Sequence, residues 1–184
     1  MKKAIIVHGW NGIPNDSWKP WLKKELERRG FQVLTPQMPG RLHPKLNEWI
    51  KTISQNVRVP DKDTYFIGHS LGCISIVRYL TTLPKNITVG GCVLIAGFSG
   101  NVGIPEISEF YSLPVDVEKA RDYCNNFVII HSDNDEAVPM RKAIEFKEQL
   151  KAKFILEHNK GHLSEGDGLK ELPSALNAIK EMSV

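Results

Sequence analysis

No apolar stretch of this sequence approaches the roughly 20 residues that a helix needs to cross a bilayer. The opening run Ala4-Ile5-Ile6-Val7 follows two lysines, but it is too short for the core of a signal peptide and ends in His8-Gly9 without a small-residue cleavage site. An excess of one charge is also lacking. Lys and Arg number 24 against 21 Asp and Glu, and Lys23-Lys24 and Arg28-Arg29 are interleaved with Glu25 and Glu27. That pattern describes a solvated helix face rather than a nucleic-acid footprint. Cysteine is sparse: Cys73, Cys92 and Cys124 are odd in number, lack metal-ligand spacing, and are expected to be reduced and structural. No internal repeat, low-complexity segment or linker marks a boundary. These absences predict a single domain over residues 1–184, cytoplasmic, with no nucleic-acid or membrane partner, no metal and no cofactor.

What remains is a chain long enough to bury about 70% of its unfolded surface, in which apolar runs of two kinds alternate. Ala4 to Val7, Phe31 to Leu34, Tyr65 to His69, Cys92 to Ala96, Phe127 to His131 and Phe154 to Leu156 are short, rich in β-formers and continuous, as buried parallel strands are. Between them lie runs with helical spacing: Trp18, Trp21, Leu22 and Leu26, stopped by Gly30; Leu46, Trp49, Ile50 and Ile53; Ile74 to Leu80; Ala143, Ile144, Phe146 and Leu150; and Leu176, Ile179 and Met182. Asn15, Asp16 and Ser17 are cap candidates for the first helix. Six strands alternating with helices predict an α/β fold in three layers, α/β/α, around a mostly parallel sheet. Residues 97–122 are poorly periodic and offer the only room for a lid.

One stretch carries chemistry. Gly68-His69-Ser70-Leu71-Gly72 lies between a strand and a helix, the context that gives the G-x-S-x-G pattern its meaning. A serine at so sharp a turn projects its hydroxyl above the sheet, and the flanking glycines let strand and helix approach closely. Loops at the carboxyl ends of parallel strands share one edge of the sheet. Three such loops hold Ser70, Asp135 and His162, in the order Ser, Asp, His. A serine hydroxyl needs a base, imidazole can serve, and a carboxylate fixes the imidazole's tautomer. The oxyanion of an acyl-transfer step would be met by the backbone N–H groups of Leu71 and Trp10. Asp133 competes with Asp135 as the acid, although it could instead cap a turn; what favours Asp135 is that, with Val138-Pro139 following, it resembles the Asp-x-x-Val-Pro pattern usual in α/β-hydrolases. His8, His69 and His131 stand at strand ends, where they are expected to satisfy backbone groups, and His158 at the surface. Trp10, Met38, Phe98 and Phe110 are candidates to line a substrate pocket.

His8-Gly9-Trp10, Trp18-x-x-Trp21-Leu22, Met38-Pro39, Gly68-His69-Ser70-Leu71-Gly72-Cys73, Asp133-Asn134-Asp135 with Val138-Pro139, and Gly161-His162-Leu163 together carry a resemblance that runs end to end. The chain resembles the small α/β-hydrolase (serine hydrolase) family that includes YdeN-like proteins and retinoblastoma-binding protein 9. The resemblance implies a six-stranded parallel sheet in the order 2-1-3-4-5-6 without a large cap. It also implies a triad of Ser70, Asp135 and His162 acting on a small-molecule ester through an acyl-enzyme. No Leu-x-Cys-x-Glu motif is present, so a retinoblastoma-type partner is not carried over. Two enzyme alternatives use the same triad, a thioesterase and an acyltransferase. Two non-enzyme alternatives are a binding protein on a hydrolase scaffold and a flavodoxin-like module holding a phosphate at the Gly68–Gly72 turn; the latter leaves Asp135 and His162 unexplained.

Overall fold

The computed structural model describes residues 1–184. Six strands, β1 (Lys3–Val7), β2 (Gln32–Leu34), β3 (Thr64–His69), β4 (Gly91–Ile95), β5 (Phe127–Ser132) and β6 (Lys153–Glu157), form one sheet in the order β2-β1-β3-β4-β5-β6. Every pairing is parallel. Five α-helices connect the strands, α1 (Lys19–Glu27), α2 (Leu46–Val57), α3 (Leu71–Leu80), α4 (Val117–Tyr123) and α5 (Met140–Leu150), and a sixth, α6 (Pro173–Met182), follows β6.

Side chains alternate across a strand, so the sheet has two apolar faces. Ala4, Ile6, Ile67 and Val93 pack under α1 and α6 with Leu22, Leu26, Ala175 and Ile179. Ile5, Val7, Phe66 and Leu94 pack under α2 to α5 with Trp49, Ile53, Tyr79, Ala120 and Phe146. The three-layer architecture and strand order are those the sequence and its resemblance imply. No helix is long and apolar enough to cross a membrane.

Several local expectations are corrected. The first helix begins after Trp18, and Asp16 caps no helix but accepts the Ile13 N–H at 3.0 Å. Ile144 lies on the open flank of α5, 40% exposed, while Ala143, Phe146 and Leu150 face inward. Residues 97–122 contain a 3-10 helix (Pro105–Phe110) and all but the last residue of α4, which begins where the Asp116 carboxylate accepts the Lys119 N–H. Ile107 and Phe110 of this segment are buried, and the Arg78 guanidinium donates to the carbonyls of Phe110 and Leu113. The segment packs over α3, and none of its residues lines the cavity at Ser70.

Candidate active site

The chain leaves β1 toward β2 on one side and returns to β3 on the other. The crevice beyond the carboxyl ends of β1 and β3 is therefore the switch point where parallel sheets bind ligands. Ser70 stands there with φ 52° and ψ −118°, held by Ser70 N–H donating to the Ile95 carbonyl and Cys73 N–H donating to the Ser70 carbonyl. A side chain at Gly72 would put its Cβ 2.4 Å from the Val7 carbonyl oxygen, and one at Gly68 would sit 2.8 Å from the Cys73 nitrogen. Backbone on both sides leaves no room to yield, which is why this turn needs glycine at both positions.

His162 is reached from β6 by a loop that would wander if it were not pinned. Four consecutive residues at the end of β5 hold it. Asp133 accepts from Asn159 N–H (2.8 Å), the Ser132 hydroxyl from Lys160 N–H (2.9 Å), Asn134 Oδ1 from Gly161 N–H (2.8 Å), and Asp135 Oδ2 from His162 Nδ1–H (2.8 Å). The far side is pinned too: Trp18 Nε1–H donates to the Leu163 carbonyl (2.8 Å) and His69 Nε2–H to the His162 carbonyl (2.9 Å). Asp135 is itself fixed, because its Oδ1 accepts the N–H groups of Ala137 and Val138, each at 2.9 Å. With Nδ1–H directed to a carboxylate, His162 keeps Nε2 as a free acceptor. Ser70 and His162 line the same cavity. Ser70 Oγ makes no hydrogen bond to the imidazole in this resting arrangement; such contacts commonly tighten only when substrate is bound.

The histidines divide as their positions suggest. Burial lowers the pKa of His69 well below the imidazole norm, reinforced by the neighbouring His162, and burial also lowers those of His8 and His131. All three are therefore neutral donors to backbone carbonyls. Asp133 pairs with His158 at 2.6 Å, and the Asn159 N–H and that imidazole hold its carboxyl below the usual range. Asp133 and Asp135 thus have different partners, His158 and His162.

His8 orders the loop after β1. Its Nε2 accepts from the Met38 N–H (3.0 Å), so the proton sits on Nδ1 and is donated to the Gly9 carbonyl at 2.7 Å. Gly12 N–H donates to the same carbonyl. In a trans peptide the N–H opposes the C=O, so the Trp10 N–H points away from both donors, and it has no protein acceptor. Leu71 is the first residue of α3, and its N–H has no partner within the helix.

Of the expected pocket residues only Trp10 lines the cavity at Ser70. Met38, Phe98 and Phe110 are 0–1% exposed and belong to the core under α2 to α5, where a loop at the sheet edge buries its apolar side chains. The cavity instead has polar walls, of about 330 Å³, among them Asp16, Lys19, His69, Ser164 and Glu165. The sequence reading missed Lys19, which is 2% exposed, because a lysine beside a helix start looks solvated.

Residues 4–181 match the family described as serine hydrolase. The chain is 31% identical over 179 residues to the Bacillus subtilis protein YdeN, covering 97% of this chain and 94% of that one. It is 27% identical over 185 residues to the serine hydrolase RBBP9 of Rattus norvegicus, covering 98% and 95%. The crystal structure of the B. subtilis ydeN product superposes with a TM-score of 0.95 at 30% identity, over 99% of this chain and 98% of that one. The fold is shared as well with Est1E of Butyrivibrio proteoclasticus, solved with ferulic acid bound, at TM-score 0.78, 19% identity, 98% of this chain and 87% of that one. By sequence over nearly its whole length, and by a sheet whose switch point carries a strained serine beside a carboxylate-held histidine, this chain belongs to the serine hydrolase family.

Proposed function

We propose that the protein hydrolyses small carboxylic esters through an acyl-enzyme on Ser70, with His162 as general base and acid and Asp135 as its orienting carboxylate. The observation that carries this reading is the His162–Asp135 hydrogen bond of 2.8 Å on the wall of the cavity that holds Ser70. In the first half-reaction Ser70 Oγ attacks the ester carbonyl while its proton passes to His162 Nε2. The charge on the carbonyl oxygen is met by the N–H groups of Leu71 and Trp10, each such donor being worth roughly a hundred- to a thousand-fold in turnover. The imidazolium, stabilised by Asp135, then gives its proton to the departing alcohol. Water repeats the sequence on the acyl-enzyme to release the acid and restore Ser70. No step calls on a metal or cofactor.

Labelling with a fluorophosphonate tests the proposal. The parent is expected to label and the Ser70→Ala and His162→Ala variants not to. A folded parent that stays unlabelled would instead make this a binding protein on a hydrolase scaffold. Esters and thioesters of matched chain length, run on the labelling-competent parent, separate an esterase from a thioesterase.

A further inference from the structure

The cavity at Ser70 is unusual for a site expected to take simple esters: among its twelve lining residues only Trp10 is hydrophobic. Its most buried charge is Lys19, whose side chain is 3% exposed. The ammonium pairs with Asp16 Oδ1 and lies 5.3 Å from the centre of the Trp18 ring. An ammonium has three N–H donors. Asp16 is the only protein oxygen that takes one, so at least one donor remains for a ligand. Burial lowers the Lys19 pKa while Asp16 and Glu165 oppose the shift.

The charges also say what the ligand is not. Lys19 is paired with Asp16 and Glu165 with Lys170, so no unpaired positive charge is left to draw an anion in. A cation would find Asp16 already engaged, with Oδ1 on Lys19 and Oδ2 on the Ile13 N–H, and would meet the Lys19 charge. Glu165 faces Lys170 at 3.6 Å on the exposed rim. An uncharged oxygen acceptor suits the Lys19 N–H groups not directed at Asp16 best. The cavity runs between the loop of residues 9–12 after β1 and a wall formed by His162, Ser164, Glu165 and Gly166. The alcohol oxygen must receive its proton from His162, so the leaving group belongs against this wall.

We propose that the cavity is the leaving-group site and that Lys19 selects short alcohols carrying an uncharged oxygen acceptor, such as a hydroxyl or ether, a few bonds from the ester. This inference rests on the esterase reading above. The Ser70 Oγ–acyl carbon bond forms, the acyl carbon–alkoxy oxygen bond breaks, and the serine proton reaches the alcohol through His162. Lys19 contributes one hydrogen bond to the second oxygen and takes no part in proton transfer.

The test compares 2-methoxyethyl acetate with butyl acetate, near-isosteres differing by one oxygen for a methylene, on the parent and on Lys19→Met. The readout is the ratio of the two kcat/KM values, since intrinsic reactivity cancels between proteins. A lost hydrogen bond from a charged donor is expected to lower this ratio about ten- to a hundred-fold in the variant. A merely structural lysine would lower both esters together and leave the ratio unchanged, which would overturn the proposal. So would a parent preference for acetylcholine over 2-methoxyethyl acetate. So, too, would a Lys19-dependent ratio found for 4-nitrophenyl methoxyacetate against 4-nitrophenyl butyrate but not for the alkyl acetates. If Lys19→Met fails to fold because Asp16 is left unpaired, Lys19→Met/Asp16→Asn removes both charges and is read the same way. Fluorophosphonate labelling separates the failures. An unlabelled parent removes the esterase reading and this proposal with it, whereas labelled proteins with an unchanged ratio remove this proposal alone.

Discussion

A carboxylate that accepts two backbone N–H groups on one oxygen cannot swing away from the imidazole on the other. Asp135 is in that position, 8% exposed, whereas Asp133 is exposed and serves the Asn159 N–H and His158. On the proposed mechanism Asp135→Asn lowers kcat by roughly a thousand- to ten-thousand-fold, since an amide no longer selects the Nδ1–H tautomer. Asp133→Asn keeps an acceptor for Asn159 and is expected to cost far less. Steady-state kinetics on both variants check the ranking, and the reverse order would move the acid to Asp133. Ser70 and His162 were legible because their neighbours announce them, a glycine-flanked strand–helix turn and a glycine-preceded histidine after the last strand. Lys19 was not legible. Whether a lysine is buried depends on which parts of the chain fold against it, which no local pattern records.

Among the elements, the turn between β3 and α3 is the least forgiving. An alanine at residue 72 would drive a methyl into the backbone of β1, and neither strand nor helix can retreat without breaking the sheet pairing of β1 with β3. Gly72→Ala is expected to destabilise the protein by about 3 kcal/mol; a shift of the urea midpoint checks it, and a parent-like midpoint would contradict the close approach. The loop carrying His162 has the opposite character. It has no regular structure and gains its shape from side chains elsewhere, Ser132 to Asp135 on one side and Trp18 and His69 on the other. Periodicity revealed the strands and longer helices because it is a local signal. It left α4 unseen, since seven residues give too few turns to show a repeat. It also put Ile144 inside, because an apolar residue next to Ala143 looks like core until the width of the buried stripe is known.

At the scale of the molecule, three neutral histidines are enclosed in one fold. His8, His69 and His131 are 0–7% exposed, and burial depresses all three pKa values. Unfolded, each imidazole takes up a proton near pH 6.5, while the folded form resists. The unfolded state therefore binds more protons below that pH, and stability, full above it, falls as the solution is acidified. The loss is up to about 1.4 kcal/mol per pH unit for each group. Urea unfolding at about pH 7.5 and about pH 5.5 measures this. A protein equally stable at both would mean that the three rings are not enclosed as described. Ser70, Asp135 and His162 likewise come from three loops of one sheet edge and work together only if the whole sheet gathers them. Treating the parent with a fluorophosphonate, digesting it and locating the adduct by mass spectrometry tests whether they do. One adduct per chain is expected, on the peptide containing Ser70, and none in His162→Ala. An adduct on any other residue, or one that survives the loss of His162, would contradict that.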